Sequence, residues 1–94
     1  MEMFNPAHPG KILKELYLEP LKMSVTELAL KTGISRKHLS NIVNCNVPIS
    51  VEIALKLAKC FNTSAEVWLR EQLAYDLWNA KQTVNLDDVQ VVAM

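Results

Sequence analysis

Between Ser35 and Asn44 the chain places, besides His38, six polar side chains, Ser35, Arg36, Lys37, Ser40, Asn41 and Asn44, around the apolar residues Leu39, Ile42 and Val43. Wound as a helix, the three apolar residues fall at i, i+3, i+4 and form one stripe, and the polar set is left on the opposite side. Arg and Lys donors suit guanine edges or phosphate oxygens. Asn suits an adenine edge, and Ser suits a base or a phosphate. Ser35 is a favourable N-cap, and the free first-turn amides beside it and Arg36 can hold a phosphate. Such a face is also what the wet side of any amphipathic helix looks like, so its meaning rests on what positions it.

Other reactive residues do not assemble into a site. Cys45 and Cys60 form no CxxC pair and have no His at ligand spacing, so no metal site is expected. Cys60 is expected to be a small buried residue and Cys45 a loop residue. His8 is expected to cap or position the first helix. His38 has two uses open to it, phosphate contact or packing against a neighbour. Asp87 and Asp88 are a solvated acidic pair in the tail. Nothing resembles a nucleophile elbow, a phosphate loop or a metal-binding His pair, so the chain is not expected to be an enzyme or to hold a cofactor.

Stepping along the chain, two Gly and four Pro punctuate a succession of short apolar stripes. Helix one is expected over about residues 10–18, with Ile12, Leu13, Leu16 and Tyr17 on one face. Pro20 disfavours helical geometry at Glu19 and is expected to end it. Ser24-Val25-Thr26-Glu27 fits a capping box opening helix two, with Leu28 and Ala29 inward and Gly33 at its end. Helix three spans about 36–44 with Ser35 as its cap. Helix four spans about 51–60, capped by Ser50, with Ile53, Ala54, Leu57 and Ala58 inward and Glu52 paired with Lys56 on the wet side. Helix five spans about 65–80, and Thr63-Ser64-Ala65-Glu66 reads as a second capping box.

The apolar residues of helix five make a stripe wider than one core face needs. Trp68, Tyr75 and Trp78 stand at i, i+7, i+10 on one side. Core or dimer packing suits them better than a ligand cage. After residue 81 the tail changes character, and Val89-Gln90-Val91-Val92 is strand-compatible. A lone short strand needs a partner strand, for which a second copy of the chain is one source. Trp68, Tyr75, Trp78, Val89 and Val91 are therefore the candidate dimer or partner surface. The domain assignment is 1–80 for the helical domain and 81–94 for the tail.

The spacing from Val25 to Asn44 is the most specific feature. Leu28 and Ala29 precede Gly33 by five and four residues, and Ile34, Leu39 and Ile42 follow it by one, six and nine. A small residue lets two helices cross closely, Gly permits the tight turn, and the three apolar residues clamp the second helix onto the first. These are the requirements of a helix-turn-helix, whose second helix enters the major groove. The fold class expected is all-α, a five-helix DNA-binding domain with the helix-turn-helix over about residues 25–44.

Composition agrees in part. The chain has 94 residues, half of them apolar, so it makes one domain with a thin core. It has no signal-peptide pattern and no apolar run that spans a membrane, and a small cytoplasmic protein is expected. Its ten basic and ten acidic residues cancel, which argues against nucleic acid at first sight. The sum hides two unlike parts. Residues 1–62 carry eight basic and five acidic side chains, and residues 63–94 carry two basic and five acidic. The helix-turn-helix part is mildly basic, as phosphate contact requires. The last helix and tail are acidic, suited to a basic partner.

From His8 to Trp78 the sequence resembles the HigA-type antitoxins of the lambda-repressor/Cro-like (XRE) helix-turn-helix family. The residues that carry this are His8-Pro9-Gly10, Leu18-Glu19-Pro20-Leu21, Ser24, Thr26-Glu27-Leu28-Ala29, Gly33, Ser35-Arg36 and Asn44. They continue as Glu52, Ala54, Leu57-Ala58-Lys59, Phe61, Thr63-Ser64, Glu66, Trp68-Leu69 and Ala74-Tyr75-Asp76-Leu77-Trp78. The resemblance covers about three quarters of the chain. It implies a dimer that binds its own operator in the bacterial cytoplasm and neutralises a HigB-type toxin, a ribosome-dependent mRNA endonuclease. It also adds Thr26 to the DNA-contacting set. Two departures stand out. Val25 occupies a position where many relatives carry a DNA-contacting Gln. Cys45-Asn46-Val47-Pro48 replaces a segment that tends to hold Gly and basic residues.

Overall fold

The computed structural model describes residues 5–93. Among the described residues five helices follow one another. The first, α1, is continuous through three segments, Pro9–Ile12, Leu13–Leu18 and Glu19–Leu21. It is followed by α2 (Val25–Thr32), α3 (Arg36–Val43), α4 (Val51–Phe61) and α5 (Ala65–Thr83).

Caps set most of the boundaries. Ser24 accepts from the Glu27 amide at 3.0 Å and Glu27 accepts from the Ser24 amide at 3.2 Å, the reciprocal box expected from the sequence. Ser35 and Ser50 cap α3 and α4 through the His38 and Ile53 amides. At the start of α5 the cap lies one residue later than expected. Ser64, not Thr63, accepts from the Val67 amide at 3.2 Å. Thr63 is engaged elsewhere, accepting from the Trp68 indole N–H at 2.9 Å. A buried indole donor without a partner is costly, and that need outranks the sequence pattern.

Helix α1 corrects the expectation at Pro20. Glu19 is helical, at φ −65° and ψ −50°, and the helix runs on to Leu21. The segment Leu13–Leu18 is a π-turn, with the Glu19 amide bonding to Lys14 five residues back. A widened turn is one way a helix accommodates a proline that lacks an N–H and crowds the preceding turn. It also changes which residues face inward. Leu13 and Leu18, five apart, are buried, whereas Leu16 is 67% exposed. The helix ends at Lys22 (φ 53°), where Met23 N–H reaches Leu18 O and Lys22 N–H reaches Glu19 O. That is a Schellman end.

The core gathers Leu13, Leu18, Leu28, Ile34, Leu39, Ile42, Ile49, Ile53, Ala54, Leu57 and Trp68. Tyr17 lies between Phe61 and Trp68, with ring centroids 4.8 and 5.1 Å away. Gly33 (φ 76°) makes the turn between α2 and α3, a conformation that costs glycine little. Helix α4 packs along the first half of α5. Beyond that, α5 projects, and the molecule measures 52 × 23 × 23 Å.

Helix α3 is held from behind by the start of α1. A Cβ at Gly10 would overlap the Ile42 carbonyl, so the two backbones are in contact. His8 caps α1, its Nδ1 accepting from the Gly10 amide at 2.8 Å. The buried imidazole stands edge-on to Tyr75 of α5, with centroids 4.9 Å apart, and meets the Val47 backbone. Burial is the main influence on His8 and lowers its pKa, against smaller opposing effects of the Val47 hydrogen bond and the Asp76 charge.

Among the described residues there is no strand. Residues 84–93 are irregular, with a turn in which Asn85 accepts from the Asp87 amide at 2.7 Å. Among the described residues the Val89–Val92 run has no strand to pair with, and an isolated strand leaves its backbone groups unbonded. Helix α5 extends to Thr83, three residues past its expected end.

Two consequences can be measured. Gly10→Ala replaces a poor helix former by the best one, yet should destabilise the fold by about 2–3 kcal/mol, because a methyl group must enter space held by backbone. In a domain this size that lowers the melting temperature by roughly 10 °C or more. A rise, as helix propensity alone would give, would refute the contact. The second concerns pH. His8 folded prefers the neutral ring, so its contribution to stability is fully present above its unfolded pKa of 6.5 and is lost as pH falls below that value. Denaturant unfolding at pH 7.5 and 5.5 should show a smaller loss of stability on acidification in His8→Gln than in wild type. Equal losses would show that the ring is not held neutral.

Candidate nucleic-acid interface

The helix-turn-helix places α3 across α2, and their contact leaves a concave face. Val25, Thr26, Arg36, Lys37, Ser40 and Asn41 line a depression of about 610 Å³ there. Thr26 comes from the first turn of α2, and the other polar residues come from two successive turns of α3. Leu39 and Ile42, fully buried on the reverse side, fix the rotation of α3 about its axis.

Each polar residue on this face is differently constrained. Arg36 and Lys37 are exposed, and among the described residues neither has an acidic side chain within ion-pair distance. The ion pair that does form, Lys56 to Glu52 at 3.0 Å, lies on α4. Ser40 and Asn41 are half-buried, so their orientation is narrowed before any ligand arrives. Ser35 uses a lone pair of its hydroxyl to cap α3 and keeps its O–H as a donor. Asn44 is exposed at the C-terminal end of α3 and lies outside the depression.

The structure therefore brings five of the seven expected site residues, Thr26, Arg36, Lys37, Ser40 and Asn41, onto one surface, and sets Ser35 and Asn44 at the two ends of the same helix. Cations, hydroxyls and a carboxamide on a convex helix beside a groove can meet phosphates and base edges together. Among the described residues no group of His, Cys, Asp and Glu could hold a metal ion. No described helix is long and apolar enough to cross a membrane.

The departures noted in the sequence have a structural setting. Val25 is half-buried, packed on the core at the edge of the depression, and offers methyl groups where a carboxamide would offer hydrogen bonds. Cys45 sits at φ 64°, a left-handed conformation that costs a non-glycine residue about 1–2 kcal/mol. It ends α3 with Cys45 N–H on Ile42 O at 2.9 Å and Asn46 N–H on Asn41 O at 2.8 Å.

The candidate partner residues divide. Trp68 is 1% exposed and belongs to the core of its own chain, where Tyr17 and Thr63 hold it, so it cannot face a partner. Tyr75 is half-buried against His8. Trp78 is half-buried in a shallow depression with Ala74, Leu77, Lys81 and Gln82 on the projecting part of α5. Val89 and Val91 are exposed. Leu73 and Leu77 are exposed on α5 and extend this apolar surface.

Sequence reasoning missed Gln72 and Asp76. Gln72 is buried on α5; its Oε1 accepts from the Ile49 amide at 2.8 Å and its Nε2 donates to Asp76 at 2.9 Å. The available signal was a polar residue four positions after Trp68, on the stripe that must face inward.

Comparison with known proteins agrees with this geometry. The helix-turn-helix family HTH_3 matches residues 13–68. The virulence-associated protein A of Dichelobacter nodosus is 51% identical over 77 residues, covering 81% of this chain and 76% of that protein. The antitoxin HigA-1 of Vibrio cholerae is 36% identical over 77 residues, covering 82% and 72%. Among solved structures, the antitoxin GraA in complex with its operator superposes with a TM-score of 0.90 at 31% identity, over 100% of this chain and 98% of that one. With the turn at Gly33, the clamp of Leu28, Leu39 and Ile42 and the polar face of α3 all in place, the chain belongs to the XRE-type helix-turn-helix family that includes the HigA antitoxins.

Proposed function

We propose that the chain is the antitoxin of a type II toxin–antitoxin module, binding its operator as a dimer, repressing its own transcription and neutralising a HigB-type mRNA endonuclease. The observation that carries the DNA reading is the convergence of Thr26, Arg36, Lys37, Ser40 and Asn41 on the exposed side of a helix whose reverse side is fully buried. Relatives with operator DNA in their solved complexes and the V. cholerae antitoxin support it. In this reading α3 lies in the major groove, with Arg36 and Lys37 near its entrance and Asn41 deeper. A two-fold dimer sets the two reading helices about 34 Å apart on an inverted repeat. The site of action is the bacterial cytoplasm.

The exposed Leu73 and Leu77 with the half-buried Trp78 supply the apolar surface for the second copy. The acidic, valine-rich tail suits the basic surface of an RNA-cleaving toxin. A second reading, a module that chiefly sequesters the toxin, draws on the same exposed residues of α5 and the tail. A regulator of the same fold with no toxin is separated from both by the presence of a toxin gene alongside.

Two experiments test this. In gel shifts on a duplex from the promoter upstream of its gene, Arg36→Ala and Asn41→Ala should each weaken binding by about 5- to 100-fold, the range for loss of one good base or phosphate contact. Wild-type affinity from both would remove α3 as the reading element. In sedimentation, Leu77→Glu should shift the chain to monomer, whereas removal of residues 84–94 should leave the dimer and weaken capture of the co-expressed toxin. A dimer lost with the tail, and toxin binding kept, would reverse these assignments.

A further inference from the structure

The loop that leaves the reading helix, residues 44–48, carries no cation, yet it is exposed at Asn44, Cys45, Asn46 and Pro48, and its Asn46 amide donates to the Asn41 carbonyl of α3 at 2.8 Å. Its near end is fixed by the turn at Cys45. Its far end is fixed by a side chain from another helix. The Ile49 amide donates to Gln72 Oε1 at 2.8 Å, and Gln72 Nε2 donates to Asp76 Oδ1 at 2.9 Å. These neighbours determine which way the carboxamide points, since an N–H must meet its oxygen and a carboxylate its NH₂. Gln72 is 6% exposed, and a buried carboxamide is tolerated because both its ends are used. The Ile49 side chain, 3% exposed, pins the same residue to the core. The loop therefore rides at a height set by α5.

We propose that Gln72, oriented by Asp76, is a positioning residue for DNA binding: it holds the loop 44–48 so that the Asn44 and Asn46 carboxamides reach the phosphates that flank the groove read by α3. The inference rests on the operator-binding reading of α3. Neutral amides are common phosphate contacts and carry no sequence information by themselves. Gln72 thus governs a part of the affinity that is indifferent to sequence, and Arg36 and Asn41 keep the part that discriminates.

The test is a binding cycle on full-length chain with two duplexes of equal length, one from the promoter upstream of its gene and one unrelated. Gln72→Met should weaken both duplexes alike, by about 5- to 10-fold, leaving their ratio unchanged, as loss of backbone contacts does. Asn46→Ala should do the same, and the double variant should be no weaker than the weaker single, because the two act as one unit. The exchange Gln72→Glu with Asp76→Asn keeps an acceptor for Ile49 and a donor beside it, and should restore binding to within about 2-fold of wild type, whereas Gln72→Glu alone faces the Asp76 carboxylate and should not. This pair serves as the test where Gln72→Met fails to fold. Additive losses, or wild-type binding by Gln72→Met, would overturn the positioning role while Arg36→Ala remained weak. Wild-type binding by both Arg36→Ala and Asn41→Ala would overturn the reading of α3, and this inference with it.

Discussion

The reading helix owes its position to a contact between backbones. Gly10, in the first turn of α1, rests on the carbonyl of Ile42, and no side chain larger than hydrogen fits between them. That carbonyl also receives the Cys45 amide that ends α3. The approach of α1 therefore sets the depth of α3 and the site where it stops. A side-chain contact could be repacked by a neighbouring rotamer, but a backbone contact has no such freedom. His8 completes the arrangement by capping α1 while its ring touches Tyr75 and the Val47 backbone. Helix α1, the loop after α3 and helix α5 thus meet at one buried imidazole. The motif His8-Pro9-Gly10 reads as three linked requirements: an acceptor for the first free amide, a residue with no amide to satisfy, and a residue with no Cβ.

Because the core is thin, residues at the edges of elements carry unusual weight. Much of α5 buries little against its own chain, with Trp68 and Gln72 its buried residues. Leu73 and Leu77 stay exposed, the apolar face that the proposed reading gives to a second copy. Charge is divided in the same way. The basic excess lies in the part that carries the reading face, and the acidic excess lies in α5 and the tail. On the proposed reading this separates a DNA-facing side from a partner-facing side, and the modest basic excess makes affinity per protomer weak and sensitive to salt. On the same reading, dimerisation supplies binding strength that one chain lacks.

Most of the fold was legible wherever a local rule had no tertiary competitor. Ser24, Ser35 and Ser50 are caps as the sequence implied, Gly33 takes the left-handed turn, the stripe of α4 is buried as its periodicity required, and that of α3 is buried at Leu39 and Ile42 and half-buried at Val43. The placement of Arg36, Lys37, Ser40 and Asn41 on one face follows from the same periodicity, whereas Thr26 joins them from α2 only because the two helices cross. What failed did so for identifiable reasons. Pro20 did not end α1, because a π-turn absorbed it and exchanged Leu16 for Leu18 as the buried residue. Thr63 was drawn away from capping by an indole donor. Trp68 went to the core, which spacing along one helix could not distinguish from an interface. The Gln72–Ile49 bond joins residues 23 apart, and no local pattern announces such a pair.

The loop after α3 shows how these features combine. With Cys45 in a left-handed conformation and no lysine or arginine from Asn44 to Pro48, it lacks the means of attracting phosphate at long range. Neutral donors act only at hydrogen-bond distance, so they depend on placement where a cation would not. Placement here is provided by α5, through Gln72 and Asp76 on one side and Tyr75 and His8 on the other. The same helix, within two turns, carries the exposed Leu73 and Leu77. On the proposed reading, the loop that meets phosphate and the surface that meets the partner are held by one helix. On that reading, positioned amides exchange the long-range attraction of a cation for dependence on α5.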